Sequence, residues 1–317
     1  MRYSSTVLAF GFTLMGCRDT VEPVAVGSPT TLAPVGTTAP EVVITTVAAA
    51  PRIPGAEIIL DEPFGIPVGN GVVLRTPGAA YHVRSSLGRG AAGEVFLVER
   101  STDRQQFALK RAPTSDSSAR EIDAYRTLAG QLGFPQLVDV GEEAGWTYIV
   151  LTRIGRRIED IRTRAAGRLF VLPVEAVGSI AIQMIERLQT LHGLGFVHLD
   201  MYPNNIAVGI GAEATTLYLF DFGEARRDLQ NRREDIRSLS HSVLQLLRPG
   251  TRYGDYKHYE DDRDRPSLAD LCQGLPEQVL RLFEYSHTLL GSEEPDYAML
   301  RSLMLEMVPG YSGHILW

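Results

Sequence analysis

Between residues 198 and 223 the chain carries two carboxylates and an amide at spacings that suit phosphoryl transfer. His198-Leu199-Asp200-Met201-Tyr202-Pro203-Asn204-Asn205 has the pattern H-x-D-x-x-x-x-N, and Asp221-Phe222-Gly223 follows it. Moving a phosphoryl group takes a carboxylate to orient the acceptor, and amide or carboxylate oxygens to hold a hard cation against phosphates. The flanks predict loops supported by short strands. Phe196-Val197 precedes the first loop, Ile206-Ala207-Val208 leaves it, and Leu217-Tyr218-Leu219-Phe220 leads into Asp221.

A phosphate-facing half is legible upstream. Leu87-Gly88-Arg89-Gly90-Ala91-Ala92-Gly93-Glu94-Val95 reads G-x-G-x-x-G-x-V between two strand-like runs. Glycines let a hairpin backbone lie close over phosphates and present its N–H groups. A dinucleotide-binding turn would need a helix directly after it, whereas here the strand Val95-Phe96-Leu97-Val98 follows. Phe107-Ala108-Leu109-Lys110 then places a lysine on the next strand, in reach of the α- and β-phosphates. Glu121, in the helical run predicted from about Ser118 to Leu128, is the expected ion-pair partner of Lys110. Asp123 is the alternative on another face of that helix. Trp146 to Arg153 reads as a last strand entering a hinge whose backbone would meet adenine, with Leu151 bordering the pocket.

Further elements must position these groups. Ile180, Met184, Ile185, Leu188 and Leu191 recur at three- and four-residue spacings and predict a long buried helix from Val177 to His192, leading into the first loop. A second helix is expected from Asp235 to Leu247. Leu280, Leu282, Phe283, Leu289, Leu300, Leu303 and Leu305 read as core of later helices. His192 and His198 read as structural, with His198 packed beneath the loop and bonded to backbone. The run Asp261-Asp262-Arg263-Asp264-Arg265 reads as a solvated loop, and metal ligation by Asp261 and Asp262 has nothing further to support it.

The whole chain sets bounds on these expectations. At 317 residues and 44% hydrophobic it is long enough for one large two-lobed domain and an extra segment. A net charge of −7, with no dense Lys/Arg run, argues against a nucleic-acid partner. Cys17 and Cys272 are the only cysteines, which excludes a disulfide framework and a cysteine-built zinc site. Residues 1–20 read as a leader whose apolar stretch, Val7 to Met15, is too short for a transmembrane span. Its end, Leu14-Met15-Gly16-Cys17, resembles a bacterial lipoprotein box, which would put a lipid anchor on Cys17. Residues 21–54, rich in Thr, Pro, Ala and Val, read as a disordered tether. Residues 55–80, with Ile58-Ile59-Leu60 and Val72-Val73-Leu74, read as a strand extension. ATP use favours an intracellular location and the leader favours export or anchoring, so location stays open.

Residues 81–317 resemble a eukaryotic-type protein kinase domain, most similar to the casein-kinase-I and vaccinia-related group. Besides the motifs above, the resemblance rests on Glu121-Ile122-Asp123-Ala124-Tyr125, Gly133-Phe134-Pro135 and Gly155-Arg156-Arg157-Ile158-Glu159-Asp160. In the tail it rests on Leu271-Cys272-Gln273-Gly274-Leu275-Pro276 and Pro295-Asp296-Tyr297. It implies an α+β fold of two lobes, a small one at 81–155 with an antiparallel sheet and one helix, and a mainly helical one at 156–317. By this resemblance Asp200 is the base or orienting group for a Ser/Thr hydroxyl of a protein substrate. Asn205 and Asp221 hold magnesium, and Lys110 with Glu121 positions ATP beneath Gly88, Gly90, Gly93 and Val95, with Ala108 and Leu151 about the adenine. Asp235 matches the helix residue that anchors the catalytic-loop backbone. Tyr202 stands where the family places a lysine, and Leu199 stands where it places an arginine. The segment between Gly223 and Asp235 leaves no room for an activation loop. Three readings remain open: an active kinase, a pseudokinase that binds nucleotide or acts as a scaffold, and a small-molecule kinase.

Overall fold

The computed structural model describes residues 43–46, 72–76, 79–90, 93–143, 145–163, 170–248 and 267–317. The leader at 1–20, most of the tether, the Ile58 to Leu60 run and the Asp261 to Arg265 loop lie outside these residues. No helix among the described residues is long and apolar enough to cross a membrane.

The small lobe is built on strands β1 (Val43–Thr46), β2 (Val72–Arg75), β3 (Ala80–Gly90), β4 (Gly93–Arg100), β5 (Gln106–Pro113), β6 (Leu137–Glu143) and β7 (Trp146–Thr152). They form one seven-stranded antiparallel sheet in the order β1-β2-β3-β4-β5-β7-β6. Alternate side chains point to opposite faces of a strand. One face buries Tyr81, Val83, Phe96, Val98, Phe107, Leu109, Tyr148 and Val150 together. The other carries Leu87 and Val95, packed by Leu97 and Ala108, and it roofs the cleft between the lobes.

β1 falls inside the stretch read as a tether. Val43 pairs with Arg75 and Thr46 with Val72. Val-Ile-Thr-Thr is β-branched at every position, which suits extended backbone. The low charge and Thr/Pro content around it hid that local signal.

Helix α1 (Asp116–Thr127) starts earlier than expected because Ser115 caps it. The Ser118 amide donates to Ser115 Oγ, and the Ser115 amide donates to Ser118 Oγ. The large lobe contains α2 (Ile158–Arg162), α3 (Val174–Gly193), α4 (Arg232–Leu247), α5 (Leu268–Cys272), α6 (Glu277–Thr288) and α7 (Tyr297–Leu305). α3 is buried on nearly every side, packing on α4 and α7, while α4 packs on α6. Leu282, Phe283, Leu300 and Leu303 lie in this core as expected, but Leu305 is 36% exposed.

Two short strands, β8 (Ile206–Val208) and β9 (Leu217–Leu219), pair antiparallel across the two chemical loops. Phe196-Val197 forms no strand. Val197 makes only a two-way bridge to Arg226, with N···O distances of 2.8 and 3.0 Å. Beyond β7 the chain is stitched to the large lobe: the Gly155 amide donates to Val208 O at 2.7 Å and the Val208 amide to Arg156 O at 2.9 Å. A Cβ on Gly155 would lie 2.6 Å from Gly209 O, so the close approach requires glycine there. The architecture is the expected two-lobed α+β fold.

Candidate active site

Lys110 projects from β5 to the cleft, and α1 packs beside it. Its Nζ donates to Glu121 Oε1 and Oε2 at 2.9 and 2.7 Å, and to Asp221 Oδ1 at 2.8 Å. Asp123, the alternative partner, instead binds Arg227 at the surface, with Nε to Oδ2 at 2.9 Å. Burial disfavours the Lys110 charge, but the Asp221 and Glu121 carboxylates outweigh it and hold the ammonium above its ordinary range. Burial raises the Glu121 carboxyl against the pull of Lys110. At Asp221 burial is outweighed by Lys110, and the carboxyl is held below its usual range. One cation therefore sits between two carboxylates of unequal acidity.

The glycine-rich hairpin joins β3 to β4, with Gly88 opposite Val95 and Gly90 opposite Gly93. Gly93 has φ +130, and a Cβ there would lie 2.1 Å from Arg111 O on β5. Its glycine is thus demanded by the neighbouring strand as well as by the turn. Below the hairpin is a cleft between the lobes. Leu87, Val95, Ala108, Lys110, Leu151 and Asp221 line it, and so do Tyr125, Pro135, Arg157 and Ala207, which were not anticipated.

On the large-lobe side, the buried Asp235 carboxylate organises the first loop. Oδ2 accepts from the His198 amide at 2.7 Å and lies 2.8 Å from His192 Nε2, and Oδ1 accepts from the Leu199 amide at 2.7 Å. These bonds support Leu199 at φ +65, a sparsely populated region for a non-glycine residue. The Asp200 amide donates to His198 Nδ1 at 3.2 Å, so the ring proton sits on Nε2 and donates to Phe220 O at 3.1 Å. His198 thereby ties the first loop to the second. Burial pushes its pKa down. Asn205 Nδ2 donates to both Asp200 O and Asp200 Oδ2 at 2.8 Å.

Asp221 is also at φ +65, and its amide donates to Tyr125 Oη at 3.2 Å. Phe222 is buried against the rings of Tyr125, Phe134 and His198. Gly223 O accepts from Ser117 Oγ at 2.7 Å and from Arg120 Nη2 at 3.3 Å. Ser117, Glu121 and Tyr125 thus form one stripe of α1 at four-residue spacing that contacts Lys110 and the D-F-G. That spacing was present in the sequence, but only the fold-back of the D-F-G gives it meaning. Tyr202 Oη accepts from Ser238 Oγ on α4 at 3.3 Å. After Gly223 the chain makes a single turn at Leu229–Asn231 and enters α4.

The donor set fits a hard divalent cation. Asn205 commits its amide N–H group to Asp200, which turns its oxygen the other way, and Asp221 brings a carboxylate held below its usual pKa range. Among the described residues no three His, Cys, Asp or Glu side chains are grouped to hold a metal alone. Magnesium typically takes one or two protein ligands together with substrate phosphates, and Asn205 with Asp221 matches that demand.

A family model described as protein kinase domain matches residues 81–243. The chain belongs to the protein kinase family. Among curated proteins this kinase domain is similar to casein kinase I homolog 2 of Schizosaccharomyces pombe, 29% identical over 272 residues, covering 71% of this chain. The match spans 62% of that relative's length. The tail motifs that pointed to the casein-kinase-I group thus agree with an independent likeness.

Proposed function

We propose that this kinase domain transfers the γ-phosphoryl group of ATP to serine or threonine hydroxyls of a protein. The observation that carries the reading is the assembly at one cleft of Lys110 between Glu121 and Asp221, with Asn205 bonded to Asp200. Separate lobes contribute these groups, and a fold serving only as a scaffold does not need them brought together.

Adenine would lie between the roof residues Val95 and Ala108 and the hinge after Leu151. Lys110, steadied by Glu121, would bind the α- and β-phosphates. Asp200, its rotamer held by Asn205, would orient the acceptor hydroxyl and take its proton. Bound magnesium would neutralise charge on the phosphates, with Asn205 and Asp221 as its protein ligands.

Tyr202 is the observation favouring the second reading, a nucleotide-binding pseudokinase. A phenol hydrogen-bonded to Ser238 supplies no positive charge for the transferred group. The test is transfer from radiolabelled ATP with magnesium to casein and to the chain itself. In Asp221→Ala we expect transfer to vanish. Magnesium-dependent ATP binding without transfer in the unaltered chain would sink the kinase reading in favour of the pseudokinase.

A further inference from the structure

Pro295-Asp296-Tyr297 has no part in the chemistry above, yet its tyrosine reaches the catalytic loop through a buried polar relay. Asp296 fixes the start of α7: its Oδ1 accepts from the Met299 amide at 2.8 Å, and its own amide donates to Tyr285 Oη at 2.7 Å. Tyr297, the first helical residue, is thereby turned inward and buried against the ring of His192. Its Oη lies 2.5 Å from His192 Nδ1. His192, in the last turn of α3, presents Nε2 to Asp235, whose two oxygens hold the His198 and Leu199 amides. Asp200 is the next residue.

The proton positions follow from the partners. Burial holds the Tyr297 phenol above its ordinary pKa, so it keeps its proton and donates to Nδ1. The His192 proton then sits on Nε2 and points at Asp235, the one tautomer that places N–H against the carboxylate. The imidazole is held at both nitrogens, and its plane sets the orientation of the carboxylate that receives it. Leu199 makes this orientation matter, because a residue at φ +65 stays there only while its surroundings insist. The segment after Gly223 meets this stretch at Val197, through the bridge to Arg226, and the hold on the Leu199 amide itself comes from Asp235 on α4.

We propose that Tyr297 is a positioning residue: through His192 and Asp235 it holds the His198-Leu199 backbone and with it the carboxylate of Asp200. The catalytic sense of this rests on the kinase reading, while the relay itself does not.

Tyr297→Phe in the full chain keeps the ring and removes only the hydroxyl. We expect amide hydrogen exchange at His198, Leu199 and Asp200 to quicken about tenfold, the scale of one lost hydrogen bond. Exchange in α3 and α4 should stay unchanged. Transfer to casein should lose about tenfold in kcat by the same reasoning, with KM for ATP unaltered. Tyr311→Phe, which removes a partly buried hydroxyl outside the relay, should change neither quantity. Equal exchange at the loop in Tyr297→Phe and the unaltered chain overturns the proposal whatever the transfer assay shows. A loop that responds in a chain that never transfers phosphate overturns the kinase reading and leaves the relay standing. Should the variant not fold, the ¹⁵N shifts of His192 in the unaltered chain decide. A proton on Nε2 is required, and a proton on Nδ1 overturns the proposal.

Discussion

His198 is a neutral imidazole locked between the two chemical loops, and this gives the fold a pH dependence of known sign. Burial depresses its folded pKa below the ordinary value of 6.5. Below that value the unfolded chain takes up a proton that the folded chain refuses, so stability falls as pH drops. We expect the urea midpoint to decrease from pH 7.5 to 5.5, and His198→Gln, though less stable overall, to flatten that limb. An unchanged slope in the variant would mean that His198 is not held neutral. At this scale the pairing of Lys110 with Glu121 was readable because a motif constrains type and spacing together. Lys110, Glu121 and Asp221 line the cleft, and Asp200 and Asn205 are bonded to each other on the first loop. Ser117, Arg120 and Tyr125 were not readable, because their partner is backbone of the D-F-G about a hundred residues away, and no spacing rule links the two.

The elements tell a different story, in which local pattern served well and local exceptions did not. The apolar stripe of α3 gave its position to within a turn, since a helix buried on many sides must repeat its apolar residues at helical period. Phe196-Val197 has the composition of a strand but only Arg226 to pair with, and a run without neighbours makes a bridge. β1 shows the reverse case, a strand inside a stretch whose average composition argued for disorder. The glycine-rich hairpin is the element most exposed to single changes. At Gly93 a methyl group would meet the β5 carbonyl at 2.1 Å, and φ +130 disfavours any side chain. Gly93→Ala should lift the hairpin from β5 and raise KM for ATP at least about tenfold, since such misfits exceed 1 kcal/mol. An unchanged KM would remove the hairpin from nucleotide binding.

At the scale of the molecule, α1 is fastened to the D-F-G segment without help from any added phosphate. Ser117 and Arg120 hold Gly223 O, and Arg227 grips Asp123 and Thr127 near the other end of the helix. Kinases that rely on a phosphorylated activation loop recruit arginines to that phosphate. Here Leu199 stands where the resemblance places that arginine, and the described chain passes from Gly223 to α4 in a short stretch. Protein treated with phosphatase and then freed of it should transfer phosphate within about twofold of untreated protein, because no new charge pairing is needed. A much larger loss would expose a modified residue that the assembly depends on. The two-lobed plan was legible because the long strand-like runs come before Arg153 and the long helical patterns, α1 aside, come after it.

The stitch at Gly155 has a mechanical consequence. The Thr152 amide is bonded to Gln136 O within the small lobe, and Gly155 and Arg156 are bonded to Val208 of the large lobe. Only Arg153-Ile154 spans these two anchorages along the chain. Along this path a tilt of the sheet against the large lobe would be concentrated in those two residues, and it would draw Lys110 away from Asp221. A nucleotide entering the cleft would then wait on that tilt, in the μs–ms range of hinge motions.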